Sequence, residues 1–416
     1  ISYLVFILFI IKIILRRKRK VKKRLLGMVL AVAMASSFVF AGCGNSDGST
    51  QKQPAGQDTE ESSVQESSEN TGGQTGDIAN LGYTFATNDF GQGEYSLDIN
   101  AWIVESVAKH VGSGVDVVDN QFTVDNIVTQ LRSQLSKSPD GVCMIGIAET
   151  VFPAISAACQ EANVPYAFFA TPPVDEDVAV MEEDPLYAGT VLFDPEAEAA
   201  YLAEKAYEAG GRKAVILAGA QGDYNHDHRI TGFTKRFEEL GGEVLDVARC
   251  DNPGQGDEKG SNLLSANKDA DVAIGAGAGY ITSLEGIREK MGLDYKIYGC
   301  DTTPNLIQDV IDGKVEIISA GANTGAGFAE ILLINKLLGH PILTDEGKAP
   351  YTKDLTLFYC DASNCEKFQK FWDECQKAPL TQEEVMNLIG EDVTYEDFIN
   401  ALKNYAEDSY AKIDKY

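Results

Sequence analysis

The chain has 416 residues, with 63 acids against 35 Lys and Arg and a formal charge of −28. A surface this acidic repels nucleic acid and anionic lipid, so functions that need a basic face are excluded and no nucleic-acid partner is expected. Nine of the Lys and Arg fall in the first 42 residues, which hold no acid, so the remainder is more acidic still.

The apolar stretch 1–15, interrupted by Lys12, ends in Arg16-Arg17-Lys18-Arg19-Lys20. About 15 apolar residues fall short of the roughly 20 that a spanning helix needs. All five basic residues can be written in purine-only codons, the composition of a ribosome-binding site. The expectation is therefore that Val21 is the start and that 1–20 are not protein. A second basic stretch, Lys22-Lys23-Arg24, precedes the apolar run 25–40 and the box Phe40-Ala41-Gly42-Cys43. A positive start, a short apolar region and small residues before a cysteine resemble a bacterial lipoprotein signal. The resemblance implies a signal region 1–42, lipid on Cys43, a membrane anchor and work outside the cytoplasm.

From 44 to 76 the chain is Ser, Gly, Gln, Glu, Thr and Asn with almost no large apolar residue. It cannot bury enough surface to offset ordering, so 43–79 is expected to be a disordered tether. The rest is too long for one typical core and suits two lobes.

In chain order, strands are predicted at 83–87, 115–118, 141–147 and 165–170, with helices at 95–111, 124–135 and 150–162 between them. The strands are nearly all apolar, as in a parallel sheet covered on both faces. The pattern restarts with strands at 190–192, 213–218, 243–247, 272–275 and 296–300, and helices at 195–209, 229–240, 258–267, 280–290 and 304–312. A strand at 317–320, a helix at 325–338, a strand at 355–358 and a helical tail around 381–388 and 394–411 complete the chain. The fold class is α/β, two doubly wound parallel-sheet lobes, and any ligand belongs beyond the carboxyl ends of the strands.

Gly299-Cys300-Asp301-Thr302-Thr303-Pro304, followed by Asp312-Gly313-Lys314, resembles type I periplasmic binding proteins of the ribose and galactose kind. Ala162-Asn163-Val164-Pro165 before the fourth strand and Gly232-Phe233 on a second-lobe helix extend the resemblance, which covers roughly 82–358. It implies three crossings, near Leu192, Gly321 and Pro350. The N-lobe would be 82–191 plus 322–349, and the C-lobe 192–321 plus 350–416 with its tail. It also implies a monomeric solute receptor, not an enzyme, that binds a sugar-like molecule without a cofactor and hands it to an ABC permease. A sensory receptor docking on a transmembrane signalling protein would share these features.

The resemblance places Asp301 against solute hydroxyls, a role that can coexist with capping the helix that starts at Pro304. It assigns Asn88, Asp89 and Phe90 to the loop after the first strand, with Phe90 covering an apolar sugar face. Asn225, Asp227 and Arg229 stand in the second-lobe loop 224–229, Asn323 at the hinge, and Tyr280 offers a stacking surface. Where the family has a polar Asp-Arg pair this chain has Ala170-Thr171, and where it has Asn this chain has Gly277. The small residues leave room for a larger or less hydroxylated solute near Thr171.

Seven cysteines besides Cys43 are an odd set, so a complete disulfide framework is excluded. Cys360, Cys365 and Cys375 leave a disulfide open. Gly275-Ala276-Gly277-Ala278-Gly279 fits neither glycine-loop pattern for phosphate, His226-Asp227-His228 lacks a third placed metal ligand, and no hydrolase motif is present.

Overall fold

Segments that the sequence marks as unbroken apolar runs become interior strands of two six-stranded sheets in a computed structural model that describes residues 78–416. The signal region, Cys43 and nearly all of the tether lie outside the described residues. The first lobe begins with β1 (Thr84–Asp89), α1 (Tyr95–His110), β2 (Gly114–Asp119), α2 (Val124–Leu135), β3 (Gly141–Met144), α3 (Phe152–Ala162), β4 (Tyr166–Phe169), α4 (Asp175–Met181) and β5 (Tyr187–Phe193). The second continues with α5 (Pro195–Glu208), β6 (Lys213–Ala218), α6 (Tyr224–Glu239), β7 (Glu243–Arg249), α7 (Gly256–Ala266), β8 (Val272–Gly275), α8 (Ala278–Met291), β9 (Lys296–Gly299), α9 (Pro304–Ile311) and β10 (Ile317–Ala320). There follow α10 (Gly325–Leu337), β11 (Tyr351–Leu355), β12 (Phe358–Asp361), α11 (Cys365–Cys375), α12 (Gln382–Met386) and α13 (Tyr395–Ile413).

The sheet orders are β11-β5-β4-β3-β1-β2 and β12-β10-β9-β8-β6-β7. All pairs are parallel except β10 with β12. Every residue of β3, β4, β8 and β10 is buried, which is why these strands carry no polar alternation.

The chain changes lobe three times. After β5, Asp194 accepts from the backbone N–H of Glu196 and Ala197 and, with Pro195 in the first turn, starts α5 on the second lobe. The second change is at Gly321, whose φ of 100° is open to glycine, and α10 then packs on β3, β4 and β5 of the first sheet. The third lies across Thr356-Leu357, beyond the position expected near Pro350. Tyr351–Leu355 pairs with β5, and the Pro350 carbonyl accepts from Thr190 N at 2.8 Å. Residues 351–355 therefore join the first sheet, and the strand expected at 355–358 is the junction between two strands. Polar Thr352, Lys353 and Asp354 conceal an edge strand, which needs few apolar residues.

The tail is more extensive than its sequence signals. α11 packs on α9 and β12, α12 on α1, and α13 on both β11 and β12. Capping boxes at Thr381/Glu384 and Thr394/Asp397 set the starts of α12 and α13. Cys360, Cys365 and Cys375 are free thiols in this arrangement. Among the described residues no helix is long and apolar enough to cross a membrane.

Candidate functional site

A cleft of about 460 Å³ opens where the carboxyl ends of both sheets meet. Its walls come from the start of α1 and the loops after β1, β2, β3 and β4 in the first lobe and from the loops after β6, β7, β8 and β9 in the second. The first-lobe wall is largely apolar, with Phe90, Leu97, Phe122, Ile145 and Ile147, while the second supplies most of the polar groups.

Backbone strain gathers at this cleft. Of the seven non-glycine residues with positive φ among the described residues, Phe122 (55°), Ile147 (63°), Ala170 (63°) and Asp301 (75°) line it. Such conformations cost of order 1–3 kcal/mol each and persist where the surroundings over-determine them, often at ligand sites. For Phe122 the strained turn holds a half-exposed ring edge-on to Phe90, with centroids 6.2 Å apart.

At the centre is Arg229, 4% exposed. Its Nε donates to Glu198 at 2.7 Å, Nη1 to the Ala276 carbonyl at 2.9 Å, and Nη2 to Asp301 at 2.8 Å. Longer bonds from Nη1 to Asp301 and from Nη2 to Glu198 commit all five N–H groups. Burial works against the charge, yet Asp301 and Glu198 outweigh it and hold the guanidinium protonated. Ser319 Oγ completes the network by donating to Glu198 and accepting from Asp301 N. Arg229 thus fixes Asp301, whose side chain remains 19% exposed to the cleft. Thr303, not Asp301, caps α9 by accepting from Leu306 N.

α6 begins five residues before the expected 229, because Asp223 accepts from His226 N and caps it. The region expected as a loop is therefore the first turn of a helix. Asn225, His226 and Arg229 share its cleft-facing side, and Asp227 is turned away to pair with Arg249 at 2.5 Å and to accept from Gly222 N. The sequence signal was present: an Asp three residues before His226, as an N-cap requires. His226 Nδ1 accepts from Gly219 N at 2.6 Å, so the proton of the neutral ring sits on Nε2, and burial pulls the imidazole pKa down. His228 instead pairs with Glu196 at 2.6 Å. Among the described residues no His, Cys, Asp and Glu cluster could hold a metal ion.

Of the residues expected to bind solute, Phe90, Asn225, Arg229, Tyr280, Asp301 and Asn323 line the cleft, and Asn88, Asp89, Thr171 and Asp227 do not. β1 runs two residues beyond its expected end, which turns Asn88 and Asp89 into buried strand residues. Asn88 is fully engaged in bridging Asn120 and the backbone of Ile145. Asp89 accepts from Gly91 N, and burial with nearby Asp98 pushes its pKa up to about 7. Thr171 is 2% exposed behind Ala170. A Cβ on Gly277 would lie 3.4 Å from His226 Nε2 and 3.6 Å from Asp301 Oδ2, so glycine there keeps space open between them.

Sequence reasoning missed Glu94, Asn100, Phe122 and His226 as wall residues. Glu94 occupies the N-cap position of α1 without its side chain capping it, and its carboxyl accepts from Ser96 Oγ at 3.5 Å. Burial raises its pKa, and the charge of Asp301 adds to the rise. Asn323 donates both amide hydrogens, to Ser96 O and Asn100 Oδ1.

The sequence profile described as periplasmic binding protein domain matches residues 89–340, more than half of the chain. No curated protein sequence matches. Solved structures that share the fold include a galactofuranose binding protein, with a TM-score of 0.61, 15% identity, and 71% of this chain and 99% of that one covered. A periplasmic sugar-binding protein from Pseudomonas fluorescens has a TM-score of 0.64 and 14% identity over 76% of this chain and 99% of its own. The binding component of the arabinose ABC transporter from Shewanella sp. ANA-3, bound to arabinofuranose, has a TM-score of 0.61 and 16% identity over 71% and 96%.

Proposed function

Since this chain belongs to the periplasmic binding protein family, we propose that it is an extracytoplasmic receptor for a small sugar-like solute, which it delivers to an ABC importer. The observation that carries this reading is the cleft at the carboxyl ends of both sheets, where four strained residues and the Glu198–Arg229–Asp301 network converge. The sugars and transporters in the descriptions of the structural neighbours support it. In this reading Asp301 accepts solute hydroxyls, Phe90 and Tyr280 cover apolar sugar faces, and Asn225 and Asn323 orient the ring. Arg229 acts through Asp301. Lipid on Cys43 would hold the receptor beside its permease.

A thermal-shift panel of furanoses, pyranoses, inositols and small polar metabolites tests the proposal. A sugar at 100 times its Kd stabilises by about 2.7 kcal/mol. Stabilisation by one or a few sugars is expected, and a response only to non-sugars would overturn the sugar-like assignment.

A further inference from the structure

The charges on the cleft wall are unbalanced. Glu94, Asp223, Asp251 and Asp301 line the cavity, and Arg229, the one Lys or Arg among its described lining residues, has every N–H committed within the protein. His226 is neutral and offers a single donor. A neutral acceptor adds to the excess: Asn323 Oδ1 belongs to an amide whose hydrogens are both engaged elsewhere. Apolar walls around such a site concentrate its negative potential.

We propose that the solute carries a protonated amine, seated between Glu94 of the first lobe and Asp301 of the second. This rests on the solute-receptor reading above and narrows it to an amino sugar or a similarly cationic polyol. An ammonium supplies three donors and no acceptor, matching a cleft whose charged groups are all acceptors once Arg229 is internally satisfied. The aromatic rings of Phe90 and Phe122 tolerate a cation as well as a sugar face. An anionic solute would meet four carboxylates and no free cation. Glu94 is suited to the role because its side chain does not cap its helix and holds no ion pair among the described residues.

Calorimetry of the full chain in near-neutral buffer decides this, with glucosamine and galactosamine, their neutral parents, and the N-acetylated forms, which keep the bulk and lose the charge. The expected result is an amine bound at least about ten-fold tighter than both neutral counterparts, with Glu94→Gln removing the difference. A parent or N-acetylated sugar that binds as tightly as the amine overturns the inference and leaves the sugar-receptor reading standing. No binding by any of them counts against both. If Glu94→Gln melts well below the wild type, the comparison among the three sugar forms on the wild type decides alone.

Discussion

Two buried ionisable groups have opposite circumstances. Arg229 and Glu198 are paired at 2.7 Å with side chains 5% and 0% exposed, so removing one partner strands the other. Arg229→Met should lower stability by roughly 3–5 kcal/mol in urea unfolding, and adding Glu198→Gln should recover part of that loss. Equal stability of the wild type and the single variant would contradict the network. Glu330 on α10 has no such partner. It is 0% exposed, its carboxyl oxygens meet no N–H or O–H donor and only the weak donor Cys143 Sγ–H offsets the loss of water, and burial pushes its pKa up to about 8. An acid with a raised folded-state pKa favours the fold below its ordinary range near pH 4.5, and that stability is lost as the pH rises towards about 8. Glu330→Gln should flatten this slope and, with Gln equivalent to the protonated acid, stabilise the fold at neutral pH by roughly 3 kcal/mol. Parallel pH profiles for the two proteins would contradict it.

At the scale of elements, the tail explains how the crossings are held. Tyr405 of α13 is buried, its hydroxyl lies 2.7 Å from Thr324 Oγ1, and its ring abuts Gly321, where a Cβ would sit 3.1 Å away. The third crossing is tied to the same helix: Thr356 Oγ1 donates to the Leu402 and Lys403 carbonyls and accepts from Ala406 N. Tyr405→Phe should cost about 1 kcal/mol in unfolding free energy, and no change would remove the hydroxyl bond from the account. The sequence made the parallel core legible because apolar runs such as 272–275 and 317–320 have both faces covered, and these bounds coincide with β8 and β10. It concealed α4, whose seven residues begin with three acids, and α11, which lies between two cysteines without a strong cap. Of the candidate site, the place of Asp301 on the cleft wall was legible through its motif. The site was hidden at Glu94 and Phe122, whose positions depend on which loops the two sheets bring together.

The described residues form a pair of lobes with a cleft between their strand ends, tied at three crossings and strapped by the tail. The two walls differ, apolar and carrying Glu94 on the first lobe, acidic and network-backed on the second. A solute that touches both binds a closed arrangement better than an open one, and that difference in affinity shifts the population. Lys353 of β11 already reaches Tyr224 of α6 at 3.0 Å, so the lobes meet beside the cleft. Small-angle scattering on residues 73–416, which form one compact unit, tests closure most directly. With the sugar that most raises the melting temperature present at saturation, the radius of gyration should fall below that of the free protein. An unchanged radius at full occupancy would contradict closure of the two lobes on a solute.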